Sequence, residues 1–123
     1  MKNFYLENIK TQRKILDQID TKMLDKLEKL ILNTSKKGGK IIIVGNGGSA
    51  ATASHVAVDL SLNSKVKAIN FNESDLITCF ANDFGYENWV KKSLEIYSKK
   101  SDLLILISCS GNSKNLVNAN IFA

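Results

Sequence analysis

A chain of 123 residues, 44% apolar and 24% charged, has the size of one domain, about 100–150 residues, and leaves no room for a second. Its formal charge of +5 comes from 17 cations against 12 acids; all but Arg13 are lysines, scattered as pairs such as Lys36/Lys37, Lys91/Lys92 and Lys99/Lys100. A nucleic-acid reader would concentrate arginine and aromatic residues on one face, so that class is set aside, and the longest apolar run, Leu103 to Ile107, is far short of the roughly 20 residues of a membrane span.

Met1 to Lys10 has no apolar core of a signal peptide, which gives the expectation of a soluble, cytoplasmic protein with no membrane partner. Cys79 and Cys109 form no C-x-x-C motif and sit in or beside apolar runs. They read as reduced thiols and support neither a zinc knuckle nor a disulfide framework.

From Ile9 to Leu32 the apolar residues Ile9, Leu16, Ile19, Met23, Leu27 and Leu30 recur at spacings of three, four and seven. That is an amphipathic helical region, with a restart at Asp20 or Thr21 and a stop at Gly38-Gly39. The period then changes. Ile41 to Val44 is a continuous β-branched run, the pattern of a strand buried on both faces of a parallel sheet. Gly45-Asn46-Gly47-Gly48-Ser49 follows at once, and Ala50 to Leu62 reads as a helix. The unit recurs at Val66 to Phe71 with a helix from about Asp75, and at Leu103 to Ile107 with a helix from about Ser113; Glu87 to Lys99 reads as one more helix. Such alternation predicts an α/β fold: a three-layer open parallel sheet, Rossmann-like or flavodoxin-like, covering residues 39–123 and preceded by N-terminal helices in residues 1–38.

In open α/β sheets ligands bind beyond the carboxyl ends of the strands, where helix N-termini favour anions. Two polar loops fall there. Gly45, Gly47 and Gly48 let the backbone approach a ligand while Asn46 and Ser49 offer hydrogen bonds, and Ser108-Cys109-Ser110-Gly111-Asn112-Ser113 supplies hydroxyls without fixed charge. No Gly-Lys-Ser/Thr closes the first loop, so it is not a Walker A loop. It matches G-x-G-x-x-G/A at Gly45, Gly47 and Ala50, but Asn70 or Asn72 stands where a dinucleotide site needs an acid. Alone, the glycine loop reads as a turn without a ligand; with the serine loop beside it, the pair suits a small phosphorylated ligand.

These residues resemble the sugar isomerase (SIS) domain family and, within it, the phosphoheptose isomerases. Three ordered motifs carry the resemblance: Gly45 to Ser49 with His55 six residues on, Ala81-Asn82-Asp83-Phe84-Gly85-Tyr86-Glu87-Asn88, and Ile107 to Ser113. The resemblance implies phosphate binding by Ser108, Ser110 and Ser113, with Cys109 in the same loop. It further implies sugar contacts from Asn46, Gly47, Gly48 and Ser49, and an acid facing the substrate at Asp83. The family's reaction interconverts sedoheptulose 7-phosphate and an aldoheptose 7-phosphate for surface-polysaccharide heptose synthesis. Its leading helices build a homotetramer with sites formed between subunits.

The departures are Asp59 where the family has a catalytic glutamate, Cys109 where a threonine is usual, and no histidine after His55. His55 and Asp59, at i and i+4, share a helix face and form the catalytic and metal pair that the resemblance implies. Zinc normally needs three or more protein ligands, so no cofactor is assigned to these residues alone, and zinc is left to a full-length protein supplying the rest. The resemblance also implies that residues 1–123 correspond to the family's N-terminal two-thirds, that residues 39–123 form a partial SIS domain, and that they are inactive by themselves. A non-catalytic alternative stands beside the enzyme: a SIS protein that senses sugar phosphates or associates with a replication initiator.

Overall fold

The structure, a computed structural model, describes residues 2–123. The N-terminal helical segment is two helices, α1 (Lys2–Asp17) and α2 (Thr21–Lys36). Asp20 divides them: its carboxylate accepts the Lys22 amide at 2.9 Å and caps α2. The helix ends as the glycine pair predicts, with the Gly39 amide returning to the Thr34 carbonyl and that of Gly38 to Ser35, both at 3.0 Å.

After this stop the chain enters β1 (Ile41–Gly45), α3 (Gly48–Leu62), β2 (Ala68–Ile69), α4 (Ser74–Phe84), α5 (Trp89–Tyr97), β3 (Leu103–Ile107) and α6 (Lys114–Phe122). The sheet order is β2-β1-β3, all parallel, with Ile41 opposite Leu103 and Gly45 opposite Ile107. The first strand in sequence is therefore central, and all five of its residues are buried. Its side chains alternate between two cores, as strand geometry requires. Ile42 and Val44 join Phe71, Trp89, Val90, Leu94, Leu116 and Ala119, while Ile41 and Ile43 join Ala53, Ala57 and Val66, with Ile31 of α2 packed against them. Helices thus cover both faces of the sheet in the expected three-layer α/β arrangement.

The second strand is shorter than the run Val66 to Phe71 predicts. Lys65 takes a left-handed φ of 55°, and the Asn70 side-chain oxygen Oδ1 accepts the Asn72 backbone amide at 2.9 Å, a local turn that competes with the ladder. Val66 and Phe71 are nevertheless buried, so both ends of that run supply core. Helix α5 is likewise trimmed from the expected 87–99 to Trp89–Tyr97. Trp89 is buried in the core, whereas Phe84 and Tyr97 are about half exposed. Both cysteines are free, and both are exposed despite the apolar runs beside them.

At the amino end of the sheet Asp102 joins β1 to β3. It accepts the Lys40 amide at 3.0 Å and the Lys99 amide at 2.8 Å, and its other contact is an ion pair with the Lys40 ammonium. Burial works to raise the Asp102 carboxyl, but Lys40 and the two amides outweigh it and hold the group below its ordinary value. Gly39 lies so close to this joint that a Cβ there would stand 2.0 Å from the Ser101 carbonyl oxygen.

Apart from Ile31, most apolar residues of the N-terminal helices are uncovered. Ile9, Leu16, Ile19, Met23, Leu24 and Leu30 are all exposed. Among the described residues no helix is long and apolar enough to cross a membrane.

Candidate active site

The two polar loops meet because their strands are neighbours. β1 delivers Asn46 to Ser49 and β3 delivers Ser108 to Ser113 to the same end of the sheet, in register at Gly45 and Ile107. A cleft of about 480 Å³ opens between them, large enough for a small phosphorylated molecule. Asn46, Gly48 and Ser49 line one side and Ser108, Cys109, Ser110 and Ser113 the other. Gly47, at φ 53°, belongs to the same loop but not to the cleft wall. Thr52, absent from the expectations, lines the cleft one helical turn beyond Ser49 and Gly48, a position that the i, i+3 and i, i+4 spacing could have indicated.

The serine loop is organised as a set of donors. Ser108 Oγ accepts the Gly111 amide at 3.1 Å and Ser110 Oγ accepts the Asn112 amide at 3.2 Å. Each hydroxyl uses an acceptor site on the loop and keeps its own proton for another partner. Ser113 stands at the N-cap position of α6, yet its side chain makes no capping bond, so its hydroxyl is also free of the helix. Three hydroxyl donors beside a helix N-terminus suit an anionic oxygen cluster.

The glycine loop is shaped by close packing. A Cβ on Gly45 would lie 2.6 Å from both the carbonyl carbon and the oxygen of Ser49, so the first turn of α3 folds directly over the end of β1. That fold brings Ser49 onto the cleft wall.

Behind the wall a polar cluster ties the motifs together. Asn46 Nδ2 donates to Asn115 Oδ1 at 3.0 Å and Asn115 Nδ2 donates back to Asn46 Oδ1 at 2.9 Å. Tyr86 donates its hydroxyl to the same Asn46 oxygen at 3.2 Å. Sequence reasoning missed Asn115 and Tyr86 as site residues. A signal for the first was present: Asn115 is four residues before Ala119 and beside Leu116, on the buried face of α6. A second cluster holds α3 to the end of β2, where Asn72 Nδ2 donates to the Ala50 carbonyl at 2.8 Å and the Ser54 hydroxyl at 2.6 Å.

The candidate acid–base residues are elsewhere. His55 Nε2 and Asp59 Oδ2 are 3.5 Å apart on the outer face of α3, with side chains 79% and 52% exposed, and neither lines the cleft. Asp83 is exposed on α4, where its Oδ1 accepts from the side-chain Nδ2 of Asn82 at 3.0 Å, and it too is off the wall. The i, i+4 pair is therefore formed as expected, but the cleft does not gather it. Zinc does not fit the residues present: His55 and Asp59 are two ligands, and no group of three or more histidine, cysteine, aspartate or glutamate residues occurs among the described residues.

A parallel α/β sheet with a polar cleft at the carboxyl ends of adjacent strands defines a class of domain that binds ligands at strand ends through its loops. The family model for the SIS domain matches residues 4–123, and the chain belongs to that family. It is 39% identical over 114 residues to a phosphoheptose isomerase of Glaesserella parasuis serovar 5, covering 89% of this chain and 59% of the relative. It is 36% identical over 121 residues to one of Aliarcobacter butzleri, covering 94% and 64%. The solved structure of phosphoheptose isomerase GmhA from Neisseria gonorrhoeae superposes with a TM-score of 0.86 at 28% identity, over 99% of this chain and 66% of that one. A phosphoheptose isomerase structure from Francisella tularensis, 24% identical with a TM-score of 0.87 over 98% and 66% of the two chains, shares the fold. The chain thus spans about three-fifths of the length of the curated relatives it matches.

Proposed function

We propose that the protein is a phosphosugar isomerase that interconverts sedoheptulose 7-phosphate and an aldoheptose 7-phosphate, in the cytoplasm, for surface-polysaccharide heptose synthesis. The observation that carries this reading is the cleft in which Ser108 and Ser110 accept loop amides while keeping their hydroxyl protons. It is supported by 39% and 36% identity to proteins named phosphoheptose isomerase.

In this reading Ser108, Ser110 and Ser113 hold the phosphate, and Asn46 and Ser49 contact the sugar. The reaction moves a carbon-bound proton between C1 and C2 while a hydroxyl proton moves between the two oxygens, through an enediolate. Asp59 is the base that carries the carbon-bound proton, His55 orients it, and Asp83 faces the substrate as an acid. Because these groups stand outside the cleft of one subunit, the working site takes them from a neighbouring copy, in a homotetramer assembled through residues 1–38. The exposed apolar residues of α1 and α2 support that assembly.

The same separation favours a second reading, a non-catalytic SIS protein that binds a sugar phosphate without converting it. Asp59→Asn in the full-length protein distinguishes the two. As an isomerase it loses turnover of sedoheptulose 7-phosphate and keeps its calorimetric affinity. Turnover indifferent to Asp59→Asn places the base elsewhere, and a wild-type protein that binds without turnover is a binder.

A further inference from the structure

Two polar side chains are buried among the described residues, Ser93 and Asn115. Ser93 is satisfied within its own helix, donating to the Trp89 carbonyl at 2.9 Å. Asn115, 2% exposed, instead reaches a residue 69 positions away in sequence. A leucine would fill a core position beside Leu116 and Ala119 without any amide to satisfy, so stability alone does not explain an asparagine there.

What the amide does is fix another amide. The Asn46 oxygen accepts from both Asn115 and Tyr86, and one Asn46 N–H is given to Asn115. Both lone pairs and one proton are then committed, which locks the amide plane and leaves a single N–H. Asn46 lines the cleft and Asn115 does not. We infer that Asn115 and Tyr86 are positioning residues, which hold Asn46 so that it offers the cleft one fixed N–H donor and no acceptor.

The consequence is a constraint on the ligand. Asn46 is matched to an oxygen that carries a lone pair or developing negative charge, such as a carbonyl, enediolate or phosphate oxygen, and it accepts nothing from a sugar hydroxyl. Resemblance assigns Asn46 a sugar contact; the reciprocal pair restricts that contact to donation and names the residues that impose it. A pre-oriented donor needs no reorganisation when charge develops, which is where such a bond contributes most. The inference rests on the proposed isomerase reading for its assay.

The test uses the full-length protein and four variants: Asn46→Ala, Asn115→Leu, the double mutant and Tyr86→Phe. Each is assayed for kcat and KM with sedoheptulose 7-phosphate well below its melting temperature. Positioning through Asn46 predicts that Asn115→Leu lowers kcat/KM about 10-fold or more, chiefly in kcat, and that the double mutant is no slower than Asn46→Ala alone. Tyr86→Phe, an exposed position outside the core, is expected to lose about 3-fold even if Asn115→Leu fails to fold. Losses that multiply in the double mutant overturn the inference. So does a wild-type kcat/KM in a folded Asn115→Leu protein or in Tyr86→Phe. If the wild type binds the sugar phosphate without turning it over, the isomerase reading falls alone. The same proteins then decide the inference by calorimetric affinity, with unchanged values in the Asn115 and Tyr86 variants rejecting it. A wild type that neither binds nor converts sedoheptulose 7-phosphate overturns both.

Discussion

Replacing Gly45 by alanine adds one carbon at the point where α3 crosses the end of β1. That carbon would sit 2.6 Å from the Ser49 carbonyl group and 2.8 Å from its Cβ. An ordinary carbon contact is about 3.5 Å, so the first turn of α3 must lift by about 0.9 Å. The neighbours in the way are mainly backbone, in a helix that packs Ala53 and Ala57, four and eight residues beyond Ser49 and on the same side, into the core, and relief by side-chain rotation is not available. Overpacking of this kind costs about 1–3 kcal/mol, which for a domain of this size lowers the melting temperature by about 3–15 °C. The same lift moves Ser49 away from the cleft, and a displacement of about 1 Å can cost about 100-fold in rate. Calorimetric melting and kcat/KM for sedoheptulose 7-phosphate read the two effects. Gly48→Ala is the contrast for stability, since nothing lies within 4 Å of a Cβ there, and removing a glycine from the unfolded chain stabilises by about 0.4–1 kcal/mol. A Gly45→Ala protein that melts within a degree of wild type with unchanged kinetics would refute the close-packing argument.

Three further outcomes are expected. Ser110→Ala and Ser113→Ala each weaken sugar-phosphate binding by about 1–2 kcal/mol, as for hydrogen bonds to a charged group, and unchanged calorimetric affinity in the double mutant removes the phosphate cradle. Asp102→Asn lowers stability by about 1.5–3 kcal/mol near neutral pH. Because the Asp102 carboxyl is held below its ordinary value when folded, its contribution is complete above about pH 4 and fades as pH falls through the lower folded value; urea midpoints of wild type and variant that keep a constant gap down to pH 2 contradict this. Ile9→Asp with Leu16→Asp, on the exposed apolar stripe of α1, shifts the protein to a smaller species in sedimentation, while a monomeric wild type removes the assembly reading.

Most of the layered fold was legible in the sequence because its central strand has no polar position. Ile41 to Val44 could be satisfied only between two helical layers, and the structure divides these residues alternately between two cores. The loops after β1 and β3 were legible for the same reason, since glycines and serines interrupt apolar runs abruptly. Strand β2 was misjudged in length because an asparagine that closes its own turn looks, in sequence, like any polar end of a strand. The acid–base pair shows a different limit. Spacing of four residues establishes that His55 and Asp59 meet, and the 3.5 Å contact agrees. It carries no information about which way that helix face turns relative to the cleft. The spacing of Asn115 to Ala119 marked it as a polar residue on a buried helix face, but its pairing with Asn46 was not legible, because partners 69 positions apart leave no periodic trace.

The joint at the amino end of the sheet determines how the opposite rim lines up. Gly39 pressed against the Ser101 carbonyl and Lys40 held by Asp102 fix the phase of two parallel strands before either has run a residue. At about 3.3 Å per residue, a five-residue strand conveys that phase over about 16 Å. A slip of one position would send every side chain of a strand to the wrong layer. It would also shear the two loops past one another by about 3.3 Å, more than the 2.9 Å that separates the Asn115 nitrogen from the Asn46 oxygen. Alignment at the rim is thus inherited from a contact at the far end of the sheet, and a bulkier residue at position 39 would be felt as misregistry between loops it never touches.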